Sequence, residues 1–166
     1  GSLIHDDGSR ETYDCQPRLD EMVELIRQAQ AKSIVVAPFI GSLDVIESQL
    51  SKTFSVARVD WSVSGGARSD IYKMFQETED IQVLVAHPRT TSHGLTLTAA
   101  DLTLWYGPTT STETYLQANQ RMSRPGQTRP LTIAHIGSTQ AEWGVYSALE
   151  GNEKMQDALL DLYQNY

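Results

Sequence analysis

A single cysteine, Cys15, is the whole thiol inventory of the 166 residues. That excludes an internal disulfide and a cysteine-rich zinc site, and it suits a reducing compartment. The four histidines include no pair at i,i+4 spacing, so no metal is expected. No apolar run approaches the roughly 18 residues that span a bilayer. Gly1-Ser-Leu-Ile-His-Asp-Asp lacks the basic start and apolar stretch of a secretory leader. Positive charge is scarce too. Thirteen Lys and Arg against 21 Asp and Glu leave a formal net charge of −8, which argues against coating nucleic acid by bulk charge.

What is present fits one soluble domain large enough to bury a core, with 40% hydrophobic and 20% charged residues. Its charge is unevenly spread. Residues 82–141 hold Arg89, Arg121, Arg124 and Arg129 against only Asp101 and Glu113. Any contact with phosphate is therefore expected along a confined strip.

Strand and helix patterns alternate at short spacing. Residues 1–16 read as a short hairpin around Asp6-Asp-Gly-Ser, whose acids are better explained by turn chemistry than as metal ligands. A helix is predicted over Leu19–Ala31 behind Pro17, with Met22, Leu25, Ile26 and Ala29 on one face. Ser33–Ala37 is a continuous apolar run, the pattern of a buried parallel strand, and Pro38 ends it. Ser42 is expected to cap the next helix. Strands follow at Phe54–Val59, Gln82–Ala86, Leu102–Tyr106 and Leu131–Ile136, and a helix at Ala67–Gln76. Two helices, Thr139–Leu149 and Glu153–Tyr163, close the chain. The expected fold is α/β: a three-layer domain over residues 17–166, its mostly parallel sheet covered by helices on both faces.

Two segments carry candidate chemistry. His87-Pro-Arg-Thr-Thr-Ser-His-Gly94 is a polar loop at the carboxyl end of a strand, where open α/β sheets bind ligands. Gln117-Ala-Asn-Gln-Arg-Met-Ser-Arg-Pro-Gly-Gln-Thr-Arg-Pro130 holds three arginines and no acid. A helix opened by Ser111 or Thr112, with Glu113 in its first turn, would put Arg121 and Arg124 on one face, able to converge on one anion. From this stretch alone a phosphate site and a solvated basic face both stand.

Taken together, the segments resemble the second RecA-like lobe of a superfamily-2 helicase, with Swi/Snf-type DNA translocases the nearest kind. Lys32-Ser-Ile-Val-Val-Ala-Pro-Phe-Ile-Gly-Ser-Leu-Asp-Val-Ile-Glu is similar to motif IV, and His93-Gly-Leu-Thr-Leu-Thr-Ala-Ala-Asp101 to motif V. Gln117, Arg121 and Arg124 with Gly126-Gln-Thr-Arg-Pro130 are similar to motif VI. Val59-Asp-Trp-Ser resembles the family's Arg/Ile-Asp-Gly-Ser segment, with Trp61 where glycine is usual. Ser92-His93 replaces a more glycine-rich stretch, and Ser123 stands where histidine is frequent. The resemblance covers about residues 18–150. The segment between lobes is short, with no room for the large insertions of chromatin remodellers, which points to a compact phage or prokaryotic motor in a bacterial or host cytoplasm.

The resemblance implies a half-enzyme. ATP with Mg2+ would lie between this lobe and a P-loop lobe that carries the Mg2+ ligands; no Gly-x-x-x-x-Gly-Lys-Ser/Thr occurs in this sequence. Arg124 would be the arginine finger, Arg121 its partner on the phosphates, and Gln117 the residue orienting both. Gly94 would permit close backbone approach to the nucleotide, and Asp101 would orient Arg121 or Arg124, with a helix or turn cap the alternative for it. Arg89, Thr90, Thr91, Ser92 and His93 would contact a DNA backbone, most simply duplex. Other classes remain: a stand-alone regulatory binding module, or a hydrolase using His87 or His93, for which no nucleophile is evident.

Overall fold

The computed structural model describes the backbone of residues 2–4, 10–12, 14–91, 97–123 and 129–164, and the side chains of 14–91, 97–123 and 129–152. The N-terminal hairpin pairs β1 (Ser2–Ile4) with β2 (Arg10–Thr12) in antiparallel fashion. Its expected Asp-Gly turn lies outside the described residues. The main body runs α1 (Gln16–Gln28), β3 (Lys32–Val36), α2 (Ile40–Leu50), β4 (Val56–Val59), α3 (Gly65–Glu77) and β5 (Val83–Ala86). A 3-10 turn (Pro88–Thr90), β6 (Ala100–Trp105), α4 (Thr112–Met122), β7 (Thr132–His135) and α5 (Gln140–Gln164) complete it.

The five-stranded sheet has the order β4-β5-β3-β6-β7, and every pairing in it is parallel. Period-two alternation splits each central strand between two cores. Val35, Val83, Val85, Leu102 and Leu104 face α1 and α2 through Leu19, Met22, Ile26, Leu43 and Ile46. Ile34, Val36, Leu84 and Trp105 face α3, α4 and α5 through Tyr72, Phe75, Tyr115, Met122 and Tyr146. Burial on both faces explains why these strands read as unbroken apolar runs. The expected three-layer α/β architecture is what the chain adopts.

Local capping moves several boundaries. Helix α3 starts at Gly65 rather than Ala67, because the Ser64 hydroxyl accepts from the Ala67 amide (3.4 Å). Helix α2 starts at Ile40, so Ser42 lies in its first turn and Phe39 takes the cap position without a side-chain cap bond. The two closing helices are one, since Gly151-Asn152 brings no proline and an isolated glycine costs only about 1 kcal/mol. That helix opens on a capping box. The Glu142 carboxylate accepts from the Ser138 and Thr139 amides (2.7 and 3.2 Å), while the Glu142 amide donates to Thr139 Oγ1 (3.1 Å).

Arg18 locks the carboxyl edge of β6 and β7 to α1. Its guanidinium donates to Ile136 O (2.8 Å), to Tyr106 O and to Glu142 Oε1 (2.8 Å), and lies 4.7 Å over the Tyr106 ring. Burial alone would push the Glu142 carboxyl up. The Ser138 amide, Arg18 and the Thr139 amide outweigh it and hold the group below the usual range.

Candidate functional site

The arginine helix α4 begins as the residues demand. Ser111 accepts from the Thr114 amide (3.2 Å), and Glu113 lies in the first turn. Its inner face is Tyr115, Ala118, Asn119 and Met122, with Asn119 Oδ1 taking the Trp105 indole N–H (3.1 Å). Gln117 is exposed and donates to Glu113 Oε1 (3.0 Å), one turn back. The helix stops at Met122, and Ser123 leaves helical geometry at φ −105°, ψ 74°. Helical spacing therefore does not extend from Arg121 to Arg124, and the expected common helix face does not follow. Arg124 lies outside the described residues, as do Gly94, Ser92 and His93.

Running antiparallel to the strands, α4 delivers Arg121 to the amino edge of the sheet. There the Leu97 amide donates to the Arg121 carbonyl (3.5 Å). Gln76, near the end of α3, holds the next two residues: its Nε2 donates to Thr98 Oγ1 (3.0 Å) and its Oε1 accepts from the Ala99 amide (3.1 Å). The segment leading into β6 is thus pinned between α3 and α4. A half-open cleft of about 680 Å3 lies alongside, with Ser33, Gln76, Ala99 and Arg129 in its wall.

Asp101 has its described partner in the α1–β3 connection. The β3–β6 register slips at this residue, with Lys32 opposite Ala100 and Ser33 opposite Leu102, so Asp101 is the extra residue of a bulge. Its Oδ2 accepts from the Gln30 amide (3.2 Å), fastening the α1–β3 connection. Lys32 is buried. It is 8% exposed and donates to Phe75 O (2.7 Å) and Thr78 O, satisfying carbonyls at the end of α3.

The loop after β5 lies at the opposite, carboxyl edge. His87 is buried and committed on both ring nitrogens. Nδ1 accepts from the Arg89 amide (3.2 Å), so Nε2 carries the proton and donates to Pro38 O (3.1 Å). Burial pushes its pKa down, against the Pro38 bond, and the neutral ring joins the ends of β3 and β5. With both nitrogens occupied, His87 is not placed as a catalytic base. Thr90 and Thr91, expected to face phosphate, are turned inward. Thr90 Oγ1 donates to His87 O (2.6 Å), Thr91 Oγ1 donates to Pro88 O (2.7 Å), and both residues are buried. Arg89 alone among the described members of that set is exposed. Beside it, Arg58 pairs with Asp60 (2.7 Å), Asp44 (2.5 Å) and Glu47 (3.2 Å). Burial would raise the Asp60 carboxyl, but hydrogen bonds from the Ser62 hydroxyl and amide and from Arg58 hold it low.

Residues 17–126 match the family model described as the helicase conserved C-terminal domain. The chain belongs to that family. This helicase C-terminal domain is 32% identical to helicase-like transcription factor CHR27 of Arabidopsis thaliana over 66% of the chain, which is 10% of that protein. It is 26% identical to chromodomain-helicase-DNA-binding protein 1-like of Danio rerio over 86% of the chain and 14% of that protein. The chain thus spans about a tenth of the length of these relatives. In fold it is similar to the C-terminal part of the Fun30 ATPase domain, with TM-score 0.73 and 22% identity over 78% of this chain and 44% of that one. The superfamily-2 second lobe expected from the motifs is thereby the fold and family of this chain.

Three features of the helicase domain escaped sequence reasoning. The inward hydroxyls of Thr90 and Thr91 depend on a 3-10 turn that loop polarity does not announce. The partners of Asp101 and Lys32 are distant in sequence. Trp61 registered only as a departure from glycine, although it is 58% exposed and edge-on to the His87 ring at 4.5 Å.

Proposed function

We propose that this domain is the second lobe of an ATP-dependent DNA translocase or helicase, acting with a P-loop lobe of the same protein. The observation that carries the reading is the Leu97–Arg121 contact. It joins the segment resembling motif V to the arginine helix, so the two would move as one body when the lobes close on ATP. Arg124 acts as the finger, offsetting charge on the transferred phosphoryl, an effect worth about 10³–10⁵ in rate. Arg121 binds the phosphates, Gln117 stands one turn before it on the same helix side, and Gly94 allows close approach of the backbone. Magnesium needs converging carboxylate oxygens. No group of three or more His, Cys, Asp or Glu side chains converges among the described residues, the Mg2+ ligands are assigned to the P-loop lobe, and no step here runs through the ion. On the carboxyl edge Arg89, with Ser92 and His93, contacts the nucleic-acid backbone without reading bases.

The test is DNA-stimulated ATP turnover by the intact two-lobe protein, wild type against Arg124→Ala and Arg121→Ala at equal thermal stability. A fall of about a hundredfold or more with ATP still bound is expected for Arg124→Ala. Unchanged turnover in both variants would overturn the reading in favour of a non-catalytic binding module.

A further inference from the structure

The described residues include three exposed aromatic side chains, Phe39 (66% exposed), Trp61 (58%) and Trp143 (48%), and all three lie at the carboxyl edge of the sheet. Trp61 follows β4, Phe39 follows β3, and Trp143 lies in the first turn of α5, just past β7. In the order β4-β5-β3-β6-β7 these are alternate strands. Strands lie about 4.8 Å apart, so the ends of the strands that these residues follow are about 10 Å apart along the edge.

Two of the rings are braced from one side. Trp61 packs edge-on against His87, which two hydrogen bonds hold in place. Trp143 lies over Gly137 so closely that a Cβ there would come within 2.8 Å of its ring, and it packs 5.8 Å from the Tyr146 ring. Large apolar groups that are braced yet open to solvent are unusual on a soluble surface and mark contact sites.

The polar groups between the rings indicate what covers them. Helix α2 begins beside Phe39 with no side-chain cap; the Ser42 and Leu43 amides donate to the Phe39 carbonyl (3.1 Å each), which leaves the Ile40 and Gly41 amides to face an anion. Exposed Arg89 follows β5, between Trp61 and Phe39. Asp44 and Glu47, the nearby carboxylates of α2, are already paired with Arg58. Aromatic faces alternating with phosphate donors suit a polymer that itself alternates bases and phosphates. An apolar peptide would call for a contiguous patch.

We infer that this edge binds single-stranded nucleic acid by stacking unpaired bases on Trp61, Phe39 and Trp143. The inference rests on the proposal that the lobe meets nucleic acid, and it adds that bases, not phosphates alone, are contacted. Trp61 stands where the family pattern has glycine, so this ring departs from that pattern. Base–aromatic stacking is tolerant of sequence, and removing one ring should weaken binding about 5- to 150-fold.

The test measures anisotropy of labelled DNA with the intact two-lobe protein. The probes are a thymidine oligonucleotide, an abasic oligonucleotide with the same number of phosphates, and a duplex. The thymidine strand should bind about tenfold or more tightly than the abasic one. Trp61→Ala and Phe39→Ala should each reduce that preference without lowering the melting temperature, and Trp61→Phe should restore it. Equal affinity for thymidine and abasic strands would overturn the stacking inference and leave the phosphate contact standing. Tightest binding to the duplex, unaffected by Trp61→Ala, would overturn it in the same way. No binding to any probe would remove the nucleic-acid reading together with it.

Discussion

Asp101 and Gln30 are 71 positions apart in sequence, yet the Asp101 carboxylate accepts from the Gln30 amide at 3.2 Å. The bulge that sets Asp101 off from the ladder aims its side chain at the α1–β3 turn. Asp101→Ala removes a charge-assisted acceptor and should destabilise the fold by about 1–2 kcal/mol. Asp101→Asn, which keeps an acceptor, should recover most of that. Urea denaturation measures both. A loss of ATP turnover in Asp101→Ala at unchanged stability would instead return Asp101 to the nucleotide.

Lys32 tests the same division between support and function. Its ammonium serves Phe75 O and Thr78 O at the end of α3 and lies 5.4 Å over the Phe75 ring. Lys32→Met keeps the stem but leaves those carbonyls without their donor, and a stability loss of about 1.5–3 kcal/mol is expected. DNA affinity at matched folded fraction should not change. A weaker DNA complex with normal stability would contradict the assignment.

How much could be read in advance follows from the range of each interaction. The sheet strands announce themselves because burial on both faces demands local runs such as Ile34-Val-Val36 and Val83-Leu-Val85. The start of α4 is legible in Ser111, whose partner is three residues away. Its end is legible more coarsely: Pro125-Gly126 is a stop signal, and the chain leaves helical geometry two residues ahead of it, at Ser123. The roles of Asp101 and Lys32 escape because their partners are set by how β3, β6 and α3 meet at one edge. Loop polarity misleads at Thr90 and Thr91, since a hydroxyl satisfies a carbonyl of its own turn as readily as a ligand.

Acid should weaken this fold through its histidines. His87 and His135 are both depressed below the ordinary value of 6.5, chiefly by burial, although Glu150 pulls His135 back. Around His87 stand Asp60, which favours the charged form, and Arg89, which opposes it; around His135 stand Glu150, Tyr115 and Tyr146. Because the unfolded chain takes up these protons first, stability is complete above 6.5 and falls as pH drops toward the folded values. Asp60 and Glu142 are depressed acids with ordinary values of 3.8 and 4.5, and their contribution is lost only lower down. Denaturation at about pH 7.5 and about pH 5.5 should therefore isolate the histidine part. His87→Asn should flatten the dependence, and His87→Asn with His135→Asn should nearly abolish it. An unchanged slope in the double variant would show that other groups carry it.

Gly137 sets the posture of Trp143. A Cβ at this position would stand 2.8 Å from ring atom Cε2, closer than real Cβ contacts come, and 3.0 Å from Nε1. The indole is rigid, so Gly137→Ala must displace the ring as a whole or strain the turn between β7 and α5. With Trp143 48% exposed, rotation outward is open to it, and the cost should stay at about 1–2 kcal/mol. The ring would then leave the Tyr146 ring, now 5.8 Å away. Tryptophan fluorescence should shift to the red as the indole gains water, and Trp143→Phe should remove the shift by removing its source. If Trp143 also stacks a base, Gly137→Ala should weaken the thymidine strand while sparing the abasic one. Equal weakening of both strands would make the glycine a support of the turn and nothing more.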